Sequence, residues 1–159
     1  MTMNKKYIFF LLIIIFAFGC KKEDEIQNFD KNKILDLVNE VRLEGCDCNG
    51  VFQPPTTALK WNSMLYRAAQ KHSEWMFETG TFSHTGEGGS SHSERIQAEG
   101  YPSGYAGENI AWGYTSEEAV IQGWLSSDKG HCENIMNPNW EDIGIGREGN
   151  YWTMDLARP

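Results

Sequence analysis

The chain has 159 residues, with 14 Lys and Arg against 22 Asp and Glu and a formal net charge of −8. That acidity argues against a nucleic-acid partner, whose affinity rests on Lys and Arg neutralising phosphates. The length fits one domain with a single core and is short for two, and six Trp, eight Phe and six Tyr supply large areas for that core.

In chain order, Lys5 and Lys6 precede an unbroken apolar run over residues 7–18, followed by Gly19 and Cys20. This is the pattern of an export signal, and the run is shorter than the ~20 residues that span a bilayer. A Cys after a small residue resembles the lipobox of bacterial lipoproteins, in which the Cys becomes the lipidated N-terminus; Ala17 and Phe18 depart from the usual pattern. The expected division is a signal peptide over 1–19, a charged tether over 20–32 and a folded domain over 33–159, with the membrane as a partner through lipid on Cys20. Losing residues 1–19 removes two lysines and no acid, taking the charge to −10. Lys21-Lys22-Glu23-Asp24-Glu25 resembles the acidic signals that route some Gram-negative lipoproteins to the outer surface.

Ile34, Leu37, Val38 and Val41 recur at helical spacing and Gly45 supplies a stop, so a first amphipathic helix is expected there. Residues 45–57, with Pro54-Pro55 and two cysteines, read as a loop. Asn62 caps a second, longer helix whose face carries Leu65, Ala68, Ala69, His72 and Met76, ends near Gly80 and is expected to pack against the first. His84 falls on the loop that follows. Ser91-His92-Ser93-Glu94 is a capping box opening a short helix, and Thr115-Ser116-Glu117-Glu118 reads as another. Residues 109–112 form a short strand, and Ile143, Ile145 and Arg147, a turn at Gly149-Asn150, and the alternating residues 151–157 form a hairpin. Helices before strands point to an α+β fold.

With Cys20 lipidated, Cys46, Cys48 and Cys132 remain in an oxidising compartment, enough for one disulfide and one thiol. Cys46 and Cys48 stand too close for an easy bridge, so one of them is expected to pair with Cys132, Cys48 being favoured. His84, Glu108 of Gly107-Glu108-Asn109, and His131 lie on three separate segments. Two imidazoles and a carboxylate suit Zn²⁺ or another divalent cation, or a polarised water.

The order of motifs is more telling than any one of them. Leu37-Val38-Asn39-Glu40-Val41-Arg42, Leu59-Lys60-Trp61-Asn62, Ala68-Ala69-Gln70-Lys71-His72-Ser73, Phe82-Ser83-His84-Thr85-Gly86, Gly107-Glu108-Asn109-Ile110, Gly123-Trp124-Leu125, Gly130-His131-Cys132-Glu133-Asn134 and Ile143-Gly144-Ile145-Gly146 follow in sequence. Over about residues 33–158 the chain resembles the bacterial, SCP-like extracellular branch of the CAP superfamily, which includes cysteine-rich secretory proteins, antigen-5-like allergens and pathogenesis-related proteins. The resemblance implies a three-layer α/β/α sandwich around a small antiparallel sheet, with a cleft where two His and two acids meet. His84, Glu108 and His131 match those positions; Ser127 stands where the second acid is expected, with Asp128 beside it as a partial substitute.

Two function classes follow. One is a binding or interaction module whose cleft holds a divalent metal, small molecule, lipid, peptide or glycan, with Trp112, Tyr114, Trp140 and Trp152 as groove or core aromatics. The alternative is a metal-assisted hydrolase or protease using a His and Glu pair on an extracellular peptide or ester. The chain has neither a GxSxG elbow nor an HExxH motif, so covalent catalysis has little support.

Overall fold

A computed structural model describes residues 28–102 and 104–159. The segments expected to be a signal peptide and most of a tether, Cys20 included, lie outside the described residues. The fold nevertheless begins before residue 33: Phe29 is buried between Trp61 and Trp152, and the Asp30 side chain caps the first helix.

Helix α1 spans Lys31–Glu44 and stops at Gly45, which adopts a positive φ of 79°. The segment read as a loop contains a small hairpin, β1 (Cys46–Cys48) and β2 (Val51–Gln53). Its turn is Asn49-Gly50, with φ values of 54° and 85°, the conformation that a two-residue hairpin turn requires. β3 (Lys60–Trp61) leads into α2 (Ser63–Thr79), capped by the Asn62 side chain and closed by a left-handed Gly80. α3 (His92–Ala98) opens with the capping box at Ser91. β4 (Ala106–Trp112) follows, then α4 (Glu117–Leu125), capped by Ser116, and the short α5 (His131–Met136). β5 (Asp142–Glu148) and β6 (Tyr151–Ala157) form the expected hairpin.

The main sheet has the order β3-β5-β6-β4. It is antiparallel except where β3 joins β5 in parallel over two residue pairs. α1, α4 and α5 pack together on one face, α2 and α3 on the other, giving an α+β three-layer sandwich. The second helix therefore packs on the sheet rather than on the first: each helix turns its apolar stripe toward strands supplied later in the chain.

Side-chain alternation along the strands explains both faces. Ile143, Ile145, Trp152, Met154 and Leu156 meet Ile34, Val38, Val120, Ile121, Trp124 and Ile135 in the larger core. On the other face β5 presents Gly144 and Gly146, and a Cβ at either position would fall inside the α2 backbone at Leu65–Tyr66 or Ala69–Gln70. The glycines let helix and sheet meet main chain to main chain. Arg42 is fully buried and donates hydrogen bonds to the carbonyls of Thr57 (2.8 Å), Ile135, Asn137 (3.1 Å) and Trp140. Burial lowers its pKa to about 10, and the carbonyls near the end of α5 compensate the charge.

Gly146→Ala should destabilise the fold by about 3 kcal/mol, because the backbone of α2 cannot retreat from the added methyl without opening the core. A drop in the urea midpoint at unchanged slope checks this.

Candidate functional site

The loop leaving α2 is drawn back onto the helix by His72, whose Nε2 donates to the Ser83 carbonyl at 2.9 Å. Gly86 makes this return possible, since a Cβ there would press on His72 and the Arg95 guanidinium. His84 is thereby held at the rim of β4, with Nδ1 2.7 Å from Glu108 Oε1. The other oxygen of Glu108 pairs with Arg95 of α3, which also donates to the carbonyls of His84 (3.2 Å) and Ser90 (2.9 Å). Burial works to raise the Glu108 pKa, but the His84 hydrogen bond and the Arg95 charge outweigh it and the carboxyl titrates below its ordinary value.

Asp155 of β6 stands directly opposite Glu108, fully buried, and neither of its carboxyl oxygens has a hydrogen-bond partner among the described residues. Burial, reinforced by the charge on Glu108, pushes Asp155 well above the carboxylate range. The two acids are thus pushed apart: Glu108 keeps its charge to lower pH than an ordinary carboxyl, and Asp155 holds its proton to higher pH.

Asn109 points to the opposite layer. Its Nδ2 donates to the His131 carbonyl (3.0 Å) and its Oδ1 accepts from Asn134 (2.9 Å), while Gly107 leaves room for the Asn134 side chain. The Gly-Glu-Asn motif therefore binds α5 through the Asn and α3 through the Glu. His131 faces His84 across the edge of β4, and its Nδ1 lies 2.9 Å from Ser127 Oγ. Burial, and next the neighbouring His84, hold its pKa below the ordinary imidazole value. Ser127 thus occupies the acid's position as an uncharged partner for the ring. Asp128 does not substitute for the acid: its side chain is 79% exposed and pairs with Lys129.

His84, Glu108 and His131 share a groove of about 570 Å³ with His92, Lys129 and the main chain of β4. An apolar hollow lined by Phe82, Ile110, Trp112, Tyr114 and Trp124 continues it, sharing His131. Trp112 is 62% exposed there, whereas Trp140 and Trp152 belong to the core. His92 of the capping box is half-buried and donates to the Ala106 carbonyl at 3.2 Å.

β4 is an edge strand. The carbonyls of Ala106 and Ile110 face outward, taken by His92 and by Trp124 Nε1 (3.1 Å) respectively. Main-chain direction alternates with period two, so the N–H and C=O of Glu108, midway between, face the groove as well. The Glu108 residue is 8% exposed although its side chain is only 1% exposed, so the accessible atoms are those of the backbone.

The donor set does not fit a three-residue metal centre. Both Glu108 oxygens are committed to His84 and to the fixed cation Arg95. Among the described residues, the only three His, Cys, Asp or Glu side chains whose ligand atoms lie within 4.8 Å of one another are Cys46, Cys48 and Cys132. Cys48 and Cys132 are joined in a disulfide with a Cα separation of 5.6 Å, as expected, and Cys46 is free.

Arg95 and Asp155 went unread in the sequence. Arg95 looks like an ordinary helix cation, and Asp155 sits among Thr153 and Ala157 on what alternation alone would assign to solvent.

The sequence profile of the cysteine-rich secretory protein family, CAP, matches residues 35–155. The uncharacterized membrane protein YlbC of Bacillus subtilis is 30% identical over 142 residues, covering 89% of this chain and 38% of that protein. The uncharacterized protein YkwD of the same organism is 34% identical over 100 residues, covering 62% of the chain and 38% of its own length. The chain thus spans under two fifths of these relatives. A crystal structure of an extracellular protein containing an SCP domain from Bacillus anthracis superposes with a TM-score of 0.71 at 29% identity, covering 83% of this chain and 40% of that one. An outer surface protein of Borrelia burgdorferi shares the fold at a TM-score of 0.60 and 20% identity, covering 79% and 87%.

Ser127→Glu should raise the His131 pKa from below to above the ordinary imidazole value, read by NMR titration of the ring. In the native chain the unfolded state holds the proton more tightly at this site, so stability rises with pH through the window between the folded and ordinary values. The substitution reverses that slope.

Proposed function

The chain belongs to the CAP family of cysteine-rich secretory proteins, and we propose that it is an extracytoplasmic, lipid-anchored binding module whose groove takes up an extended peptide. The observation that carries this reading is the accessible main chain of Glu108 at the edge of β4, flanked by His84 and His131. A donor and an acceptor in a row on a strand edge are complementary to another strand. The carbonyls on either side are already capped, so pairing centres on one residue, and the hollow beside Trp112 receives an apolar side chain of the same peptide.

The extracytoplasmic part is supported by the export pattern of residues 1–19, the buried disulfide, and the extracellular and outer-surface descriptions of the structural neighbours. Lipid on Cys20 is the anchor in this reading. A second reading, hydrolysis with His84 as general base oriented by Glu108, draws on their 2.7 Å contact. Arg95 on the same carboxylate, which ties it to α3 as a structural ion pair, favours binding.

Panning a random heptapeptide display library on the purified chain and synthesising the best binder tests the proposal. N-methylation of the peptide residue paired with Glu108 should weaken binding about tenfold, the worth of one lost main-chain hydrogen bond, and Trp112→Ala should weaken it further. Binding indifferent to N-methylation at every position would contradict strand addition.

A further inference from the structure

Cys46 takes no part in the groove, yet it is not an isolated thiol. It precedes Cys48 by two residues on β1, so both side chains leave the same face of the strand. Its Sγ lies 3.6 Å from Cys132 Sγ and 3.9 Å from Cys48 Sγ. Cys48 and Cys132 are wholly buried, whereas Cys46 is half-buried. A dissolved thiol or disulfide therefore has access to Cys46 and none to the bridge behind it.

We propose that Cys46 is the resident nucleophile of an internal thiol–disulfide exchange. Its thiolate attacks Cys132 Sγ; the Cys46–Cys132 bond forms as the Cys48–Cys132 bond breaks, and the electron pair leaves on Cys48, which takes up the proton that Cys46 released. No oxidant or reductant is consumed. Cys46 lies beside the S–S bond, nearly equidistant from its two sulfurs, so its side chain first swings onto the bond axis. Cys132 is then the sulfur attacked, because attack on Cys48 would bridge residues two apart in an extended strand. Their Cα atoms stand roughly 6.6–7 Å apart, at the edge of what a disulfide spans.

Either connectivity ties α5, and with it His131, to β1. What changes is the position of the thiol, which is open to solvent at Cys46 in one form and sealed at Cys48 in the other. Burial, then Asp47 and Glu133, raise the Cys46 pKa, so the thiol is the resting form and exchange quickens as the pH rises.

The test is to incubate the purified chain at pH 8.5 without reductant, quench in acid, denature, alkylate with N-ethylmaleimide at low pH and map the label by mass spectrometry. Label on both Cys46 and Cys48 is expected, with the label on Cys48 abolished in Cys46→Ser. Label confined to Cys46 would overturn the proposal. In Cys48→Ser the same geometry should close a Cys46–Cys132 bridge in air, and two free thiols in that variant would count equally against it; if the variant fails to fold, the wild-type map decides alone.

Discussion

The alternation of β4 joins the three layers, and the groove depends on it. Successive residues of an extended strand face opposite sides, so Glu108 reaches Arg95 in one helical layer while Asn109 reaches His131 and Asn134 in the other. Shifting the register by one residue would bury the wrong side chain on each face. Because β4 lies at the edge, the same alternation turns the main chain of Glu108 toward the space between the layers. His84 and His131 arrive there from opposite directions, one on the loop after α2 and the other at the start of α5.

The charges around this strand are arranged to keep Glu108 ionised. A buried carboxylate is costly unless paired and hydrogen-bonded, and here the guanidinium of Arg95 and the ring of His84 supply both conditions. On the facing strand, burial and the charge of Glu108 push the Asp155 pKa up instead. A carboxylate so well satisfied is a poor candidate for a metal ligand. On the other wall, Ser127 keeps the His131 ring in place without adding charge. The groove is therefore a surface of imidazoles, main chain and aromatics together with Lys129, and the Glu108 carboxylate is turned inward.

Much of this was legible in the chain. The caps at Asn62 and Ser91, the stops at Gly45 and Gly80 and the terminal hairpin follow from local chemistry, and the order of motifs implied the sandwich and the shared groove. The hairpin at residues 46–53 was also readable from Asn49-Gly50, but Pro54-Pro55 and the cysteines drew the segment toward a loop. The layer assignment of α2 was not, because an apolar stripe does not say whether it meets a helix or a sheet; only Gly144 and Gly146, spaced to admit a helix backbone, carried that information. The roles of Arg95, Asp155 and Ser127 depend on contacts between segments distant in sequence, which no local pattern encodes.

The groove stands or falls with the backbone of Glu108 being open while the residues on either side of it are locked to β6. Amide hydrogen exchange across β4, followed residue by residue by NMR, tests it most directly. Gly107, Asn109 and Ala111 should exchange slowly and Glu108 about a hundredfold faster or more, as for an amide outside the sheet ladder. Protection of Glu108 equal to that of its neighbours would mean that the edge is closed, and the groove would lose the feature on which its proposed ligand depends.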